Sequence, residues 1–332
     1  MKRNYFYFGI PALLIISFIS MCAITAEKDN DLKYRGLFSR HMKVVVPEVP
    51  DNASFAGEVV PLDLYYVREA FEREILANTF LHSTTIMVFK RANRWFPVIE
   101  PILKRNGIPD DFKYLAVAES NLINVVSPAK AEGYWQFIKP TGQQYGLVIN
   151  EKVDERYHLE KATQAACDYF KDAYGKFNSW TLVAASYNRG LEGLRKALDN
   201  QGVNNYYDLY LNGETSRYVF RIMAFKDLYT NPVKYGFLLR ERDFYPQIPV
   251  QEISVDSAIA NLPVFARKMN INYRILRELN PWIRNYSLPN PSGRSYTFKI
   301  PKAGALSYKA LMKDVSENET FFHDTLKINE IN

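Results

Sequence analysis

The residue best placed to do chemistry is Glu119. In the segment that opens at Pro109, Phe112, Leu115 and Ala116 precede it by seven, four and three positions. Those offsets share one face of a helix, so Glu119 projects from the apolar face. Desolvation disfavours a charged carboxylate and raises its pKa. An acid still protonated near neutral pH can donate to a leaving oxygen. The same position also fits a glutamate at a helix end, where the pattern breaks and water begins. Periodicity alone leaves both readings open.

Other chemistries find little support. The cysteines are Cys22 and Cys167, and the histidines His41, His82, His158 and His323 are scattered. They form neither a disulfide framework nor zinc-ligand spacing, and no metal or cofactor is expected. The net charge is +6, with basic residues interspersed among acids. No basic stripe or nucleic-acid motif is present, so nucleic acid is not an expected partner. A mild positive field suits an anionic polymer or membrane surface. Aromatics make up 14% of the chain, enough to serve core packing and ring stacking on sugars.

The elements that would position Glu119 are mostly helical. Residues 1–26 begin Lys2-Arg3, continue apolar, and turn polar at Glu27. This is the layout of an export signal or membrane anchor, with lipidation at Cys22 as a third outcome. Residues 27–62 read as a linker with little regular structure. Residues 63–245 carry helical spacing, with Gly107 as a stop and Pro109-Asp110-Asp111 as a new start. Residues 246–302 change character. Val250–Val255 alternates like a strand, two short helical patterns follow, and Tyr296–Pro301 reads as a closing strand. The expected fold is mainly α, with a helical domain followed by a small α+β (βααβ) domain. Residues 303–332 read as a peripheral tail.

Three blocks extend the reading of Glu119. They are Glu119-Ser120, then Gly133-Tyr134-Trp135-Gln136-Phe137, then Ala184-Ala185-Ser186-Tyr187-Asn188. In order and spacing this set resembles the family 1 lytic transglycosylases, which have a lysozyme-like (goose-type, SLT) catalytic domain. Leu103–Leu115 and Glu214-Thr215-x-x-Tyr218-Val219 are similar to segments of that family's membrane-bound murein transglycosylase D subgroup. The resemblance covers roughly residues 65–235.

It implies that Glu119 acts twice. Glu119 would protonate the oxygen between N-acetylmuramic acid and N-acetylglucosamine, then take the proton of the muramoyl C6 hydroxyl as that hydroxyl attacks C1. The product is a 1,6-anhydro sugar. Ordinary glycosidases need a second carboxylate; here the substrate supplies the nucleophile. By position, Ser120 would orient Glu119 or the sugar, and Gln136 would hydrogen-bond substrate. Tyr187 and Asn188 would position the acid and ring. Tyr134 and Trp135 could form a sugar platform, with Trp135 equally suited to packing under the loop, Phe137 joins the binding loop, and Tyr218 would close the cleft floor. Lys130 and Ser186 stand where the family usually has Gly and Ala.

The last domain resembles a divergent LysM module, through Leu262-x-x-Phe265-Ala266, Ile275–Asn280 and Phe298–Pro301. LysM modules bind N-acetylglucosamine-containing glycans. Asn280-Pro281-Trp282 and the long turn to Arg294 depart from the usual connection, which also fits a domain merely braced against its neighbour. Peptidoglycan strands are the expected partner, and the periplasm or cell envelope the expected location. Two alternatives stand beside the transglycosylase: a non-catalytic peptidoglycan-binding scaffold, and a hydrolysing muramidase of the same fold in which Glu132 could hold a water.

Overall fold

A computed structural model describes residues 46–291, 293–313, 315 and 321–323, together with 32, 33 and 36. The leader and Cys22 lie outside the described residues. No helix among the described residues is long and apolar enough to cross a membrane.

Regular structure begins earlier than the linker reading expects. Ser54–Phe55 (β1) and Glu58–Val59 (β2) pair antiparallel around Ala56 and Gly57, both at positive φ (52° and 84°). Phe55, Val60 and Leu62 are buried in the main core. The Glu58 carboxylate accepts from the backbone N–H of Thr181 at 2.9 Å and the hydroxyl of Ser179 at 3.0 Å, at a helix start where unsatisfied N–H groups favour an anion. Residues 54–62 are therefore part of the helical domain. Two-residue strands are too short to show alternation.

The helices follow the apolar spacing. Tyr65–Phe80 (α1) and His82–Arg105 (α2) come first. A single 3₁₀ turn, Asp110–Phe112, leads into Lys113–Ser120 (α3), which is followed by Lys139–Gln144 (α4). Leu159–Phe177 (α5), Trp180–Arg189 (α6), Leu191–Gln201 (α7) and Thr215–Thr230 (α8) complete the domain. Helix α8 is the central element. It packs against α1, α3 and α6, and buries Tyr218, Val219, Ile222 and Met223.

The second domain has the βααβ order read from the sequence. Val250–Val255 (β3) pairs antiparallel with Tyr296–Pro301 (β4), from Val250 opposite Pro301 to Val255 opposite Tyr296. Leu262–Lys268 (α9) and Tyr273–Leu279 (α10) cover the ribbon. Its core includes Leu262, Leu276, Trp282, Ile283 and Phe298, and also Val153 and Tyr157 from the first domain. The Asp154 N–H donates to the Trp282 carbonyl and the Arg284 N–H to the Lys152 carbonyl, each at 2.8 Å. The unusual Asn280-Pro281-Trp282 stretch is thus a bracket between domains.

The tail, expected to be peripheral, returns to the helical domain. After Tyr308–Leu311 (α11), Phe321 is buried. The Phe322 ring lies 4.7 Å from Phe244 and 5.4 Å from Tyr229. Aromatic packing of Phe321 and Phe322 outweighs the polar composition around them.

Candidate active site

Helix α3 delivers Glu119. Phe112, Leu115 and Ala116 are fully buried, as the helical face requires. The helix ends sharply because Asn121 and Leu122 turn to positive φ (51° and 56°), the left-handed geometry that stops helices and that Asn adopts readily. Glu119 thus stands in the last turn, half-buried, with its carboxyl facing α8.

The Tyr218 phenol donates a hydrogen bond to Glu119 Oε1. Burial pushes the Glu119 carboxyl up to about 7; the Tyr218 bond opposes this, nearby Glu214 adds to it and Arg221 opposes it. At neutral pH the carboxyl is therefore divided between acid and base forms. Burial also holds the Tyr218 and Tyr187 phenols well above their ordinary range, so both remain protonated donors. Tyr218, expected only to close the cleft floor, instead contacts the acid directly.

The remaining motif residues hold a loop. The Gln136 amide donates to the carbonyls of Val125 at 3.0 Å and Gly133 at 2.7 Å. The Ser120 hydroxyl donates to the Tyr134 carbonyl at 2.8 Å, and the Tyr187 phenol to the Trp135 carbonyl at 2.7 Å. Arg156, paired with Glu132 at 3.0 Å and Asp154 at 2.6 Å, donates to the Phe137 carbonyl at 3.2 Å. Four carbonyls of the block 133–137 are each tied to a different side chain. Unpaired buried carbonyls are costly, so this bonding fixes the loop beside the helix that carries Glu119.

Several expectations change accordingly. Ser120 reaches the loop rather than Glu119, and the Gln136 amide nitrogen is engaged by the loop's own backbone. Tyr187 orients the loop, with the acid acting on it only through space. Asn188 Oδ1 accepts from the Thr215 hydroxyl at 2.8 Å, tying α6 to α8. Trp135 is fully buried, its indole N–H donating to Thr163 at 2.9 Å. Tyr134 and Phe137 are nearly as buried, with ring centroids 5.5 Å from Trp95 and 5.7 Å from Tyr187. Core packing claims all three rings, so none offers an open sugar platform. Glu132 is held by Arg156 rather than standing free. Arg156, Thr163 and Arg221 escaped the sequence reading, because nothing local marks residues whose partners lie elsewhere in the chain.

Backbone strain collects in this loop. Lys130 and Gln136 take positive φ (60° and 51°). At Gly133 (φ 85°) a Cβ would meet the Arg156 carbonyl oxygen at 2.0 Å, so only glycine fits. Among the described residues, no group of three or more His, Cys, Asp or Glu could hold a metal ion.

The helical domain and its βααβ companion each match a known family. Residues 96–209 match the transglycosylase SLT domain family, and residues 251–304 match the soluble lytic transglycosylase C-terminal LysM-like domain. The chain thus carries an SLT transglycosylase domain followed by a LysM-like domain. It is 26% identical over 245 residues to membrane-bound lytic murein transglycosylase D of Escherichia coli strain K12, and equally to the protein of that name in strain O6:H1. The alignment covers 72% of this chain and 52% of each relative, so the chain spans about half the length of the curated relatives it matches. Tyr218 lies beyond the matched SLT segment.

Proposed function

We propose that the chain is a peptidoglycan lytic transglycosylase of the cell envelope, with Glu119 as its general acid and base. The observation that carries this reading is a desolvated carboxyl, poised near 7, held by the neutral phenol of Tyr218. Catalytic acids work best with a pKa near the working pH. Glu119 gives its proton to the oxygen between N-acetylmuramic acid and N-acetylglucosamine, and that glycosidic bond breaks. The resulting carboxylate takes the proton of the muramoyl C6 hydroxyl as its oxygen bonds to C1. One proton is given and one regained, and no water is consumed. The Tyr218 bond to Oε1 orients the carboxyl for both steps. The LysM-like domain binds the same strands, and the leader, through residues 1–26 or a lipidated Cys22, holds the enzyme at a membrane.

Glu214 favours a second reading. Its charge acts on Glu119, and a nearby carboxylate that activated water would make the protein a hydrolysing muramidase. Mass analysis of peptidoglycan digests separates the two. Anhydro-muramoyl ends support the transglycosylase, and reducing ends select the hydrolase. Absence of products from folded protein selects a scaffold.

A further inference from the structure

The loop over residues 130–137 and the LysM-like domain both grip one short segment, residues 152–157, which ends in a single 3₁₀ turn, Glu155–Tyr157. Toward the loop, the Arg156 guanidinium pairs with Glu132 at 3.0 Å. It also donates to the carbonyls of Lys130 at 3.3 Å and Phe137 at 3.2 Å. The Asp154 carboxylate fixes that guanidinium, accepting from Nε at 3.0 Å and Nη2 at 2.6 Å. Burial pushes the Tyr157 phenol up to about 12, so it stays protonated and donates to Glu132 as well. The approach is close enough that a Cβ on Gly133 would lie 2.0 Å from the Arg156 carbonyl oxygen.

The LysM-like domain binds the same residues. The Asp154 N–H donates to the Trp282 carbonyl and the Arg284 N–H to the Lys152 carbonyl, each at 2.8 Å. Val153 and Tyr157 are buried in that domain's core. The Arg284 guanidinium lies 4.0 Å from the centre of the Tyr157 ring, and Lys299 of β4 pairs with Glu160 at the start of α5. Asp154 and Tyr157 thus serve both sides at once. Polar networks whose members are all bonded rigidify what they join. The loop in turn bonds the residue beside the acid, since the Ser120 hydroxyl donates to the Tyr134 carbonyl at 2.8 Å. An unbroken chain of contacts therefore runs from Trp282 and Arg284 to the end of α3.

We propose that the LysM-like domain is a positioning part of the active site: through Asp154, Arg156 and Tyr157 it holds the loop 130–137 against the helix that carries Glu119. This role is separate from glycan capture, and it rests on the transglycosylase reading for its effect on turnover. Arg284→Ala combined with Lys299→Gln loosens the bracket from the LysM-like side and alters no residue of the loop. In that full-length variant, amide hydrogen exchange over residues 125–137 should quicken at least about tenfold while α1 keeps its protection. On peptidoglycan, kcat should fall about tenfold with KM changed less than about twofold, because small misplacements at a reacting centre cost rate. A domain that only captures strands gives the reverse, a raised KM with kcat intact, and that result overturns the proposal. Unchanged exchange in the loop, or a uniform rise along the whole chain, overturns it as well. Arg284→Lys with Lys299→Arg keeps both charges and should restore kcat and protection together. Arg156→Gln breaks the chain of contacts at the loop and should by itself lower kcat at least about tenfold. Added to the bracket pair, it should leave kcat within about twofold of Arg156→Gln alone, since both act through one network. Losses that multiply to about a hundredfold would mark independent effects and overturn the proposal. Exchange is measured without substrate, so unchanged exchange sinks this assignment alone. Unaltered protein that cleaves no peptidoglycan sinks the catalytic reading instead.

Discussion

Two glutamates lie against α8, and their neighbours differ in charge. The Glu74 side chain is buried, with Arg217 at 2.6 Å and Arg73 and Arg221 at 3.5 Å. Glu119 meets the neutral Tyr218 phenol, and of these arginines only Arg221 acts on it, through space. A buried carboxylate ringed by guanidinium groups is a structural ion pair. Where the contact is a phenol instead, the desolvation cost is only partly offset and the proton is retained to higher pH. What separates the two carboxyls is the charge of the neighbours.

The largest effect expected is on turnover. Glu119→Gln should lower kcat on peptidoglycan by at least about 10³-fold, because in the proposed mechanism one group supplies both proton transfers. Activity in that variant within tenfold of the unaltered enzyme would end the comparison.

Stability should move in opposite directions at the two positions. Glu74→Gln strands three guanidinium groups and should cost about 2–3 kcal/mol in denaturant unfolding, discounted for partly exposed partners. For Glu119 the folded pKa lies above the ordinary 4.5. The folded state therefore binds more protons between 4.5 and about 7, and stability falls as pH rises through that window. Glu119→Gln removes this loss. The variant should match the unaltered protein below pH 4.5 and exceed it above pH 7, by up to about 3 kcal/mol. If both substitutions destabilise equally at pH 8, desolvation is not what distinguishes the two sites.

Tyr218→Phe sharpens the contrast, since the Tyr218 bond favours the charged carboxylate. The alkaline limb of the kcat/KM profile should shift upward from about 7, while kcat falls about tenfold from lost orientation. An unmoved limb would leave the phenol with a packing role only. The smallest effect is expected at Lys130, held at φ 60°. Lys130→Gly should relieve left-handed strain and raise stability by at most about 1 kcal/mol, leaving kcat unchanged.

Legibility in the sequence followed the range of each interaction. The apolar face of α3 was readable because Phe112, Leu115 and Ala116 are near neighbours of Glu119 on one helix. The βααβ order was readable from alternation and helical spacing. The β1–β2 hairpin was too short to show a period, and the returning tail has no local signature. Ser120, Gln136 and Tyr187 were recognisable as a set while their partners were not, because those partners are backbone carbonyls whose identity no side chain announces.

The sequence by itself determined which glutamate would stand on an apolar helix face, and that helices would frame it, since both depend on contacts within a turn or two. Only the tertiary structure decided that Tyr218, 99 residues away, would hold that glutamate, and that Arg217 and Arg221 would close on Glu74. Desolvation is a property of assembled surroundings. A carboxyl becomes an acid near 7 only once distant helices have excluded water from it and supplied a neighbour without charge.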